Sequence, residues 1–194
     1  MSTSDNSEVP AVEVPVRDPN LTLFMAELVA EFPRFRVVRK QQSRFSRLLD
    51  VALRIVTLNQ MRTFMTHYHT VIGDTLYVPD GWVRMSEVDK VILLRHERVH
   101  LRQRYRLTFG GMAFVYLVPI LPLGLAYGRA RLEWEAYTET LRATHELMGA
   151  HAARSPALRA HILARFCNAE YGWMWPFRSQ LNRWYDRALD DLDR

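Results

Sequence analysis

The chain of 194 residues contains a single cysteine, Cys167, and almost no lysine. One cysteine excludes an intrachain disulfide framework and any zinc site built from cysteines. Of the 26 basic residues, 24 are arginine, and they are scattered along the chain. No basic run is interleaved with aromatic residues, so we do not expect a nucleic-acid partner.

The N-terminus lacks a basic stretch followed by an apolar one, the pattern of a secretory signal peptide. We therefore expect a cytoplasmic protein. Residues 107–128 form the one long uncharged stretch, and they are numerous enough to span a bilayer. Pro119 and Pro122 interrupt that stretch, so burial in the fold is favoured, and membrane association through 107–128 is kept as an alternative.

The rest of the chain is typical of one domain, residues 20–194, that follows a disordered or extended tail, residues 1–19. Two β-rich runs joined by Gly73-Asp74 predict a hairpin at about 64–79. We expect an α+β domain, mostly helical, with a small sheet that includes this hairpin. Helices are predicted over about 20–32, 43–57, 86–106, 129–149, 155–168 and 177–192.

The helix predicted to start at Ser86 carries a His-Glu-x-x-His motif at residues 96–100. His96 and His100 are four residues apart, so both imidazoles project from one face, about one turn apart. That spacing allows two neutral ring nitrogens to bind one zinc ion. Glu97 is close enough to take a proton from a water molecule that the zinc activates. The alternative without a metal is a pair of buried, hydrogen-bonded histidines. The glutamate beside them favours a metal site.

A third ligand has to come from elsewhere in the chain, because catalytic zinc usually has three protein ligands and one open position. The candidates are Glu133 and Glu135, a little over thirty residues downstream on the helix predicted over 129–149.

The His-Glu-x-x-His motif followed by Glu-Trp-Glu-Ala at 133–136 resembles the gluzincin class of zinc metallopeptidases. The closest pattern is the Glu-x-x-Ala-Asp motif of the HtpX-like peptidases. The resemblance implies a zincin-like fold, Zn²⁺ held by His96, His100 and Glu133, and a peptide or protein substrate hydrolysed with Glu97 as general base. Glu135 is the alternative ligand, since its spacing to the next acidic residue also fits thermolysin-like enzymes.

The chain departs from this pattern at Tyr137, where the family has an aspartate that supports a histidine ligand. Glu135 or Glu139 is the expected replacement. Gluzincins place a tyrosine or histidine downstream of the third ligand as oxyanion donor, which makes Tyr171 the candidate here, with a packing role as the alternative. By the same resemblance, the strand at 75–79 is expected to be an edge strand that pairs with an extended peptide substrate.

The sequence thus predicts a zinc-dependent metallopeptidase. Two alternatives stand beside it: a catalytically inactive, zinc-stabilised binding protein with a zincin fold, and a membrane-associated protein that uses residues 107–128. A single crossing would place His100 and Glu133 on opposite sides of a bilayer, about 30 Å apart. A single span and a Glu133 ligand therefore exclude each other. The sequence does not indicate an oligomeric state.

Overall fold

The computed structural model describes residues 20–39, 69–117, 127–168 and 174–194. The predicted tail at 1–19, the predicted helix at 43–57 and the candidate oxyanion donor Tyr171 lie outside these residues. The expected α+β, mostly helical architecture is confirmed within them. The helices are α1 (Leu21–Glu31), α2 (Glu87–Leu117), α3 (Tyr127–Met148), α4 (Ala150–Ala153), α5 (Pro156–Cys167) and α6 (Arg178–Leu192), and the strands are β1 (Arg36–Arg39), β2 (Thr70–Ile72) and β3 (Thr75–Val78).

Side-chain caps begin two of these helices where the sequence predicts them. The Asn20 side chain accepts a hydrogen bond from the Leu23 amide at 2.9 Å, which satisfies a backbone donor in the first turn of α1. At the start of α2, Ser86 Oγ accepts from the Asp89 amide at 3.1 Å and donates to Asp89 Oδ2 at 2.6 Å. This reciprocal arrangement fixes the first turn of the helix that carries both histidines.

Helix α2 is longer than the sequence predicts, because it continues past Arg106 to Leu117. No proline lies between these residues, and two glycines in a helix interior cost about 1 kcal/mol each without breaking it. The beginning of the uncharged stretch 107–128 is therefore a continuation of α2. Among the described residues, no helix is both long and apolar enough to cross a membrane.

The three strands form one sheet in the order β1-β3-β2. Strands β2 and β3 are the predicted antiparallel hairpin, which turns at Gly73 with a φ of 61° that favours glycine. The sequence does not predict strand β1, which pairs in parallel with β3. The expectation that residues 75–79 are an edge strand for substrate is wrong, since β3 is hydrogen-bonded to a neighbour on each side.

Two apolar cores lie on either side of the pair α2 and α3. The N-terminal core joins α1 and the sheet to α2, which contributes Leu94 and Leu101. The C-terminal core joins α4, α5 and α6 to α3, which contributes Ala130, Trp134 and Leu141. Each of these two helices therefore turns one face to its own core, and the remaining faces of α2 and α3 meet each other between the cores.

Arginine side chains tie α2 to its neighbours around this contact. Arg95 of α2 lies 2.6 Å from Glu139 and 2.5 Å from Glu146, both on α3, and its side chain is only 17% exposed. Arg104, one turn beyond the second histidine, forms an ion pair with Asp74 in the hairpin turn. These contacts fix the position of α2 relative to both α3 and the sheet.

Candidate metal centre

The two histidines of the motif direct the same ring nitrogen at each other. His96 Nε2 and His100 Nε2 lie 3.1 Å apart, and the rings cross at 76° with centroids 4.9 Å apart. A tetrahedral zinc ion with two imidazole ligands holds their nitrogens about 3.3 Å apart, given bonds of about 2.0 Å. The observed separation is close to that value, so the two nitrogens have the spacing that a tetrahedral ion requires.

Glu133 of α3 brings a carboxylate to the same point. Its Oε2 lies 3.6 Å from His100 Nε2, and ligand atoms of His96, His100 and Glu133 all lie within 4.8 Å of one another. The His100 and Glu133 side chains are 13% and 17% exposed, so the group is shielded but open to solvent. The structure therefore brings together the three residues that the sequence singles out as ligands.

Glu135, the alternative ligand, has a different place. Its Oε2 accepts a hydrogen bond from Gln103 Nε2 at 2.9 Å and lies 3.4 Å from Arg106. The Glu135 side chain is 41% exposed. On a helix, residues two apart point in directions about 160° different, so only one of Glu133 and Glu135 can face α2 at this point.

The other ring nitrogen of His96 is held by α3. His96 Nδ1 lies 3.0 Å from Thr140 Oγ1, and the Thr140 hydroxyl donates its own proton to the Ala136 carbonyl at 3.2 Å. The hydroxyl oxygen must therefore accept, which makes Nδ1 the protonated nitrogen of His96. Its Nε2 is left with a lone pair that points at His100 and Glu133.

Gln103 does the same for His100. Its Oε1 lies 3.0 Å from His100 Nδ1, and its Nε2 donates to the Leu132 carbonyl and to Glu135, each at 2.9 Å. These two acceptors fix which end of the amide is nitrogen, so the oxygen must face the imidazole. His100 therefore donates from Nδ1, and its Nε2 is also directed into the site.

Two lone pairs aimed at each other across 3.1 Å require a cation between them, either a proton or a metal ion. The electrostatics show where a proton would sit. Burial and the nearby His100 lower the pKa of His96 to about 3. Burial opposes charge on His100 as well, but the adjacent carboxylate of Glu133, the charge of Glu97 and the contact with Gln103 together outweigh burial and raise its pKa to about 9. Without a metal the pair holds one proton, on His100.

The two glutamates of the site have very different pKa values. Burial opposes ionisation of Glu133, but the adjacent, positively charged imidazole of His100 lowers its pKa to about 2. Glu97 is 7% exposed, and burial raises its pKa to about 7. Glu133 is thus a permanent anion, as a metal ligand must be. Glu97 can take up and release a proton near neutral pH, as a general base must.

Tyr137, at the position where the family has aspartate, packs against the site without replacing that acid. Its ring meets His96 edge-on, with centroids 4.8 Å apart, and also contacts Phe166. Burial and the nearby Glu133 raise the pKa of the Tyr137 hydroxyl, so the phenol stays neutral. The ring limits rotation of the His96 imidazole by packing alone.

The expected replacements for that aspartate, Glu135 and Glu139, do not support a histidine directly. Glu139 pairs with Arg95 and with Arg142, and Glu135 reaches His100 only through Gln103. The acceptors are instead Thr140 and Gln103, which sequence reasoning did not assign to the site. Their spacing could have indicated these positions. Thr140 follows Glu133 by seven residues, and Gln103 follows His96 by seven, so each lies two turns along the same helix face as a proposed ligand.

The chain matches no protein-family model, no curated protein and no solved structure. Its function therefore has to be inferred from the side chains of this centre.

Proposed function

We propose that this chain is a zinc-dependent metallopeptidase with a zincin-like fold. The observation that carries the proposal is the convergence of His96, His100 and Glu133, with their donor atoms within 4.8 Å, beside the buried Glu97. The order of a small sheet, a helix with both histidines and a second helix with the glutamate is also the order that the gluzincin resemblance implies.

The donor set fits zinc in a catalytic rather than a purely structural site. Two neutral imidazoles and one carboxylate are a common catalytic set, whereas structural zinc is almost always held by four protein ligands. In the described ranges, only these three histidine, cysteine, aspartate or glutamate side chains converge. A fourth position is thus left for water and substrate, which favours the enzyme over the zinc-stabilised binding protein.

The roles of the residues follow from their protonation states. Zinc, when bound, polarises the scissile carbonyl and makes water more acidic. His96 and His100 hold it through Nε2, while Thr140 and Gln103 keep both rings in the required tautomer. Glu97, with a pKa of about 7, takes a proton from the attacking water and returns it to the leaving amine. Peptides are the proposed substrates because the motif resembles that of gluzincins.

Replacement of Glu97 by glutamine tests the mechanism. Glu97→Gln keeps the size of the side chain and removes its basicity, so zinc binding should persist while hydrolysis falls by about 10²-fold or more. Zinc content and cleavage of a fluorogenic peptide library are measured on the same preparation. Glu87→Gln is the matched control, because Glu87 is an exposed residue in the first turn of the same helix. It should retain full activity.

Two results would decide between the proposed enzyme and the inactive binding protein. A Glu97→Gln protein that cleaves peptides as fast as the wild type would show that the mechanism is wrong. Zinc-loaded wild type that cleaves no member of the library would instead support the catalytically inactive, zinc-stabilised binding protein.

A further inference from the structure

Gln103 is a buried polar residue between α2 and α3, with 2% of its surface exposed. Both amide protons and the amide oxygen have a hydrogen-bond partner. Nε2 donates one proton to the Leu132 carbonyl and the other to Glu135, and Oε1 accepts from His100 Nδ1. A buried amide with both donors and its acceptor satisfied is held in one orientation, since rotation would break three hydrogen bonds.

The position of this amide links the two elements that supply the proposed ligands. On one side it contacts the imidazole of His100, and on the other it holds the backbone carbonyl of Leu132, the residue immediately before Glu133. A wider spacing of α2 and α3 at this level would lengthen the contact between Gln103 and the Leu132 carbonyl. The distance of 3.6 Å between His100 Nε2 and Glu133 Oε2 is therefore coupled to Gln103.

We propose that Gln103 is a positioning residue of the metal centre, held in place by Glu135. It keeps the proton of His100 on Nδ1 and sets the distance between His100 and Glu133. This inference rests on the proposed metal site and deepens it. It also assigns a role to Glu135, whose carboxylate orients the amide and does not bind the ion.

An amide is the side chain that this position requires. A carboxylate at position 103 accepts from His100 Nδ1 but cannot donate to the Leu132 carbonyl, and it faces the carboxylate of Glu135 at the distance of a hydrogen bond. Two like charges at that distance repel strongly in a buried setting. A neutral, apolar side chain of similar length removes the contact to His100 altogether.

The first test is Gln103→Met in the full-length chain. Loss of an outer contact to a metal-ligating histidine weakens metal affinity by about 10- to 100-fold, and we expect a Zn²⁺ dissociation constant raised by that factor. It is measured by competition with a chromophoric chelator. The visible absorption of the Co²⁺-loaded protein should also shift, because the ligand geometry changes. Gln180→Met is the matched control, since Gln180 accepts a hydrogen bond from Trp175 away from the centre. It should leave both readings unchanged.

The second test is a rescue by charge. Gln103→Glu should also weaken Zn²⁺ binding by about 10-fold or more, since it sets two carboxylates against each other. Glu135→Gln alone should weaken Zn²⁺ binding less than Gln103→Glu does, because an amide oxygen can still accept from Gln103. When the two substitutions are combined, the amide introduced at position 135 donates to the carboxylate introduced at position 103. The part of the lost affinity that is due to repulsion between the two carboxylates should return, while the part that is due to the lost contact with the Leu132 carbonyl should not. A residue that merely fills space would show no such dependence on its neighbour.

The results distinguish this inference from the proposed function. A wild type that binds no Zn²⁺ overturns the metal site and the inference with it. If the wild type binds Zn²⁺ and cleaves peptides, but Gln103→Met binds Zn²⁺ and gives a Co²⁺ spectrum like those of the wild type, only the inference is overturned. Should Gln103→Met fail to fold, the charge pair decides: absence of rescue in the double variant contradicts the role of Glu135.

Discussion

The imidazole of His100 touches three side chains through its two nitrogens. Nε2 faces His96 and Glu133, and Nδ1 faces Gln103. The proton that this ring holds in the metal-free protein occupies the position that a metal ion would take. Metal binding and protonation of the pair are therefore in direct competition.

This competition predicts proton release on metal binding. At pH 7.5 histidines with ordinary pKa values are almost wholly neutral. The raised pKa of His100, about 9, means that the pair still holds a proton at this pH, whereas His96 and Glu133, with pKa values of about 3 and 2, are already deprotonated. We expect about one proton released per Zn²⁺, with affinity rising as pH increases towards 9.

Calorimetric titration in two buffers of different ionisation enthalpy measures this number. The Glu97→Gln protein is the one to use, because the Glu97 proton then makes no contribution. Release close to zero at pH 7.5 would contradict a shared proton between the histidines.

Individual substitution of the two glutamates tests the ligand assignment. Glu133→Ala removes a carboxylate whose oxygen lies 3.6 Å from His100 Nε2, so Zn²⁺ affinity should fall by more than about 100-fold. Glu135→Ala removes only the group that orients Gln103, and we expect a loss of about 10-fold at most. Chelator competition on both variants gives the comparison, and a greater loss in Glu135→Ala would show that the ligand is assigned to the wrong residue.

Some residues of the centre follow from local sequence and others do not. His96, Glu97 and His100 follow from helical spacing. The need for a third ligand gives Glu133 and Glu135 as candidates, and the gluzincin resemblance favours Glu133. Gln103 and Thr140 depend on how α2 and α3 cross, which brings residues more than thirty positions apart into hydrogen-bond distance. The way in which two helices cross cannot be predicted from the sequence pattern of either helix. Tyr171 lies outside the described residues and stays a prediction.

At the scale of elements, two faces of α2 have different roles. Leu94 and Leu101, seven residues apart, are fully buried in the N-terminal core, and the histidines lie on the face towards α3. The caps at Ser86 and Asn20 and the hairpin turn at Gly73 are predictable because each depends on neighbours in sequence. Strand β1 is not, because its pairing with β3 joins residues almost forty positions apart.

The division of faces on α2 gives a prediction about stability. Leu101→Ala leaves a cavity in the N-terminal core and should lower the free energy of unfolding by about 2–5 kcal/mol. Leu23→Ala is the matched control, since Leu23 is 62% exposed and should cost less than about 0.5 kcal/mol. Urea denaturation of the metal-free proteins measures both. Equal stability of the two variants would show that α2 does not pack as described.

At the scale of the whole molecule, the candidate centre lies where two cores are joined. Among the side chains that the structure describes, the N-terminal core includes α2 but no buried residue of α3, and the C-terminal core includes α3 but none of α2. A metal ion held by His96, His100 and Glu133 would connect the two halves. Because such an ion binds the folded chain and not the unfolded one, it stabilises the fold as a whole.

Metal analysis of the full-length protein, purified without chelator, tests the central claim most directly. Elemental analysis by mass spectrometry should find about one zinc per chain in the wild type, and much less in Glu133→Ala prepared in parallel. Iron in place of zinc would point to other chemistry, since two histidines and a carboxylate also hold iron in oxygenases. Wild-type protein that contains no metal, and takes up none when Zn²⁺ is supplied, would contradict the account.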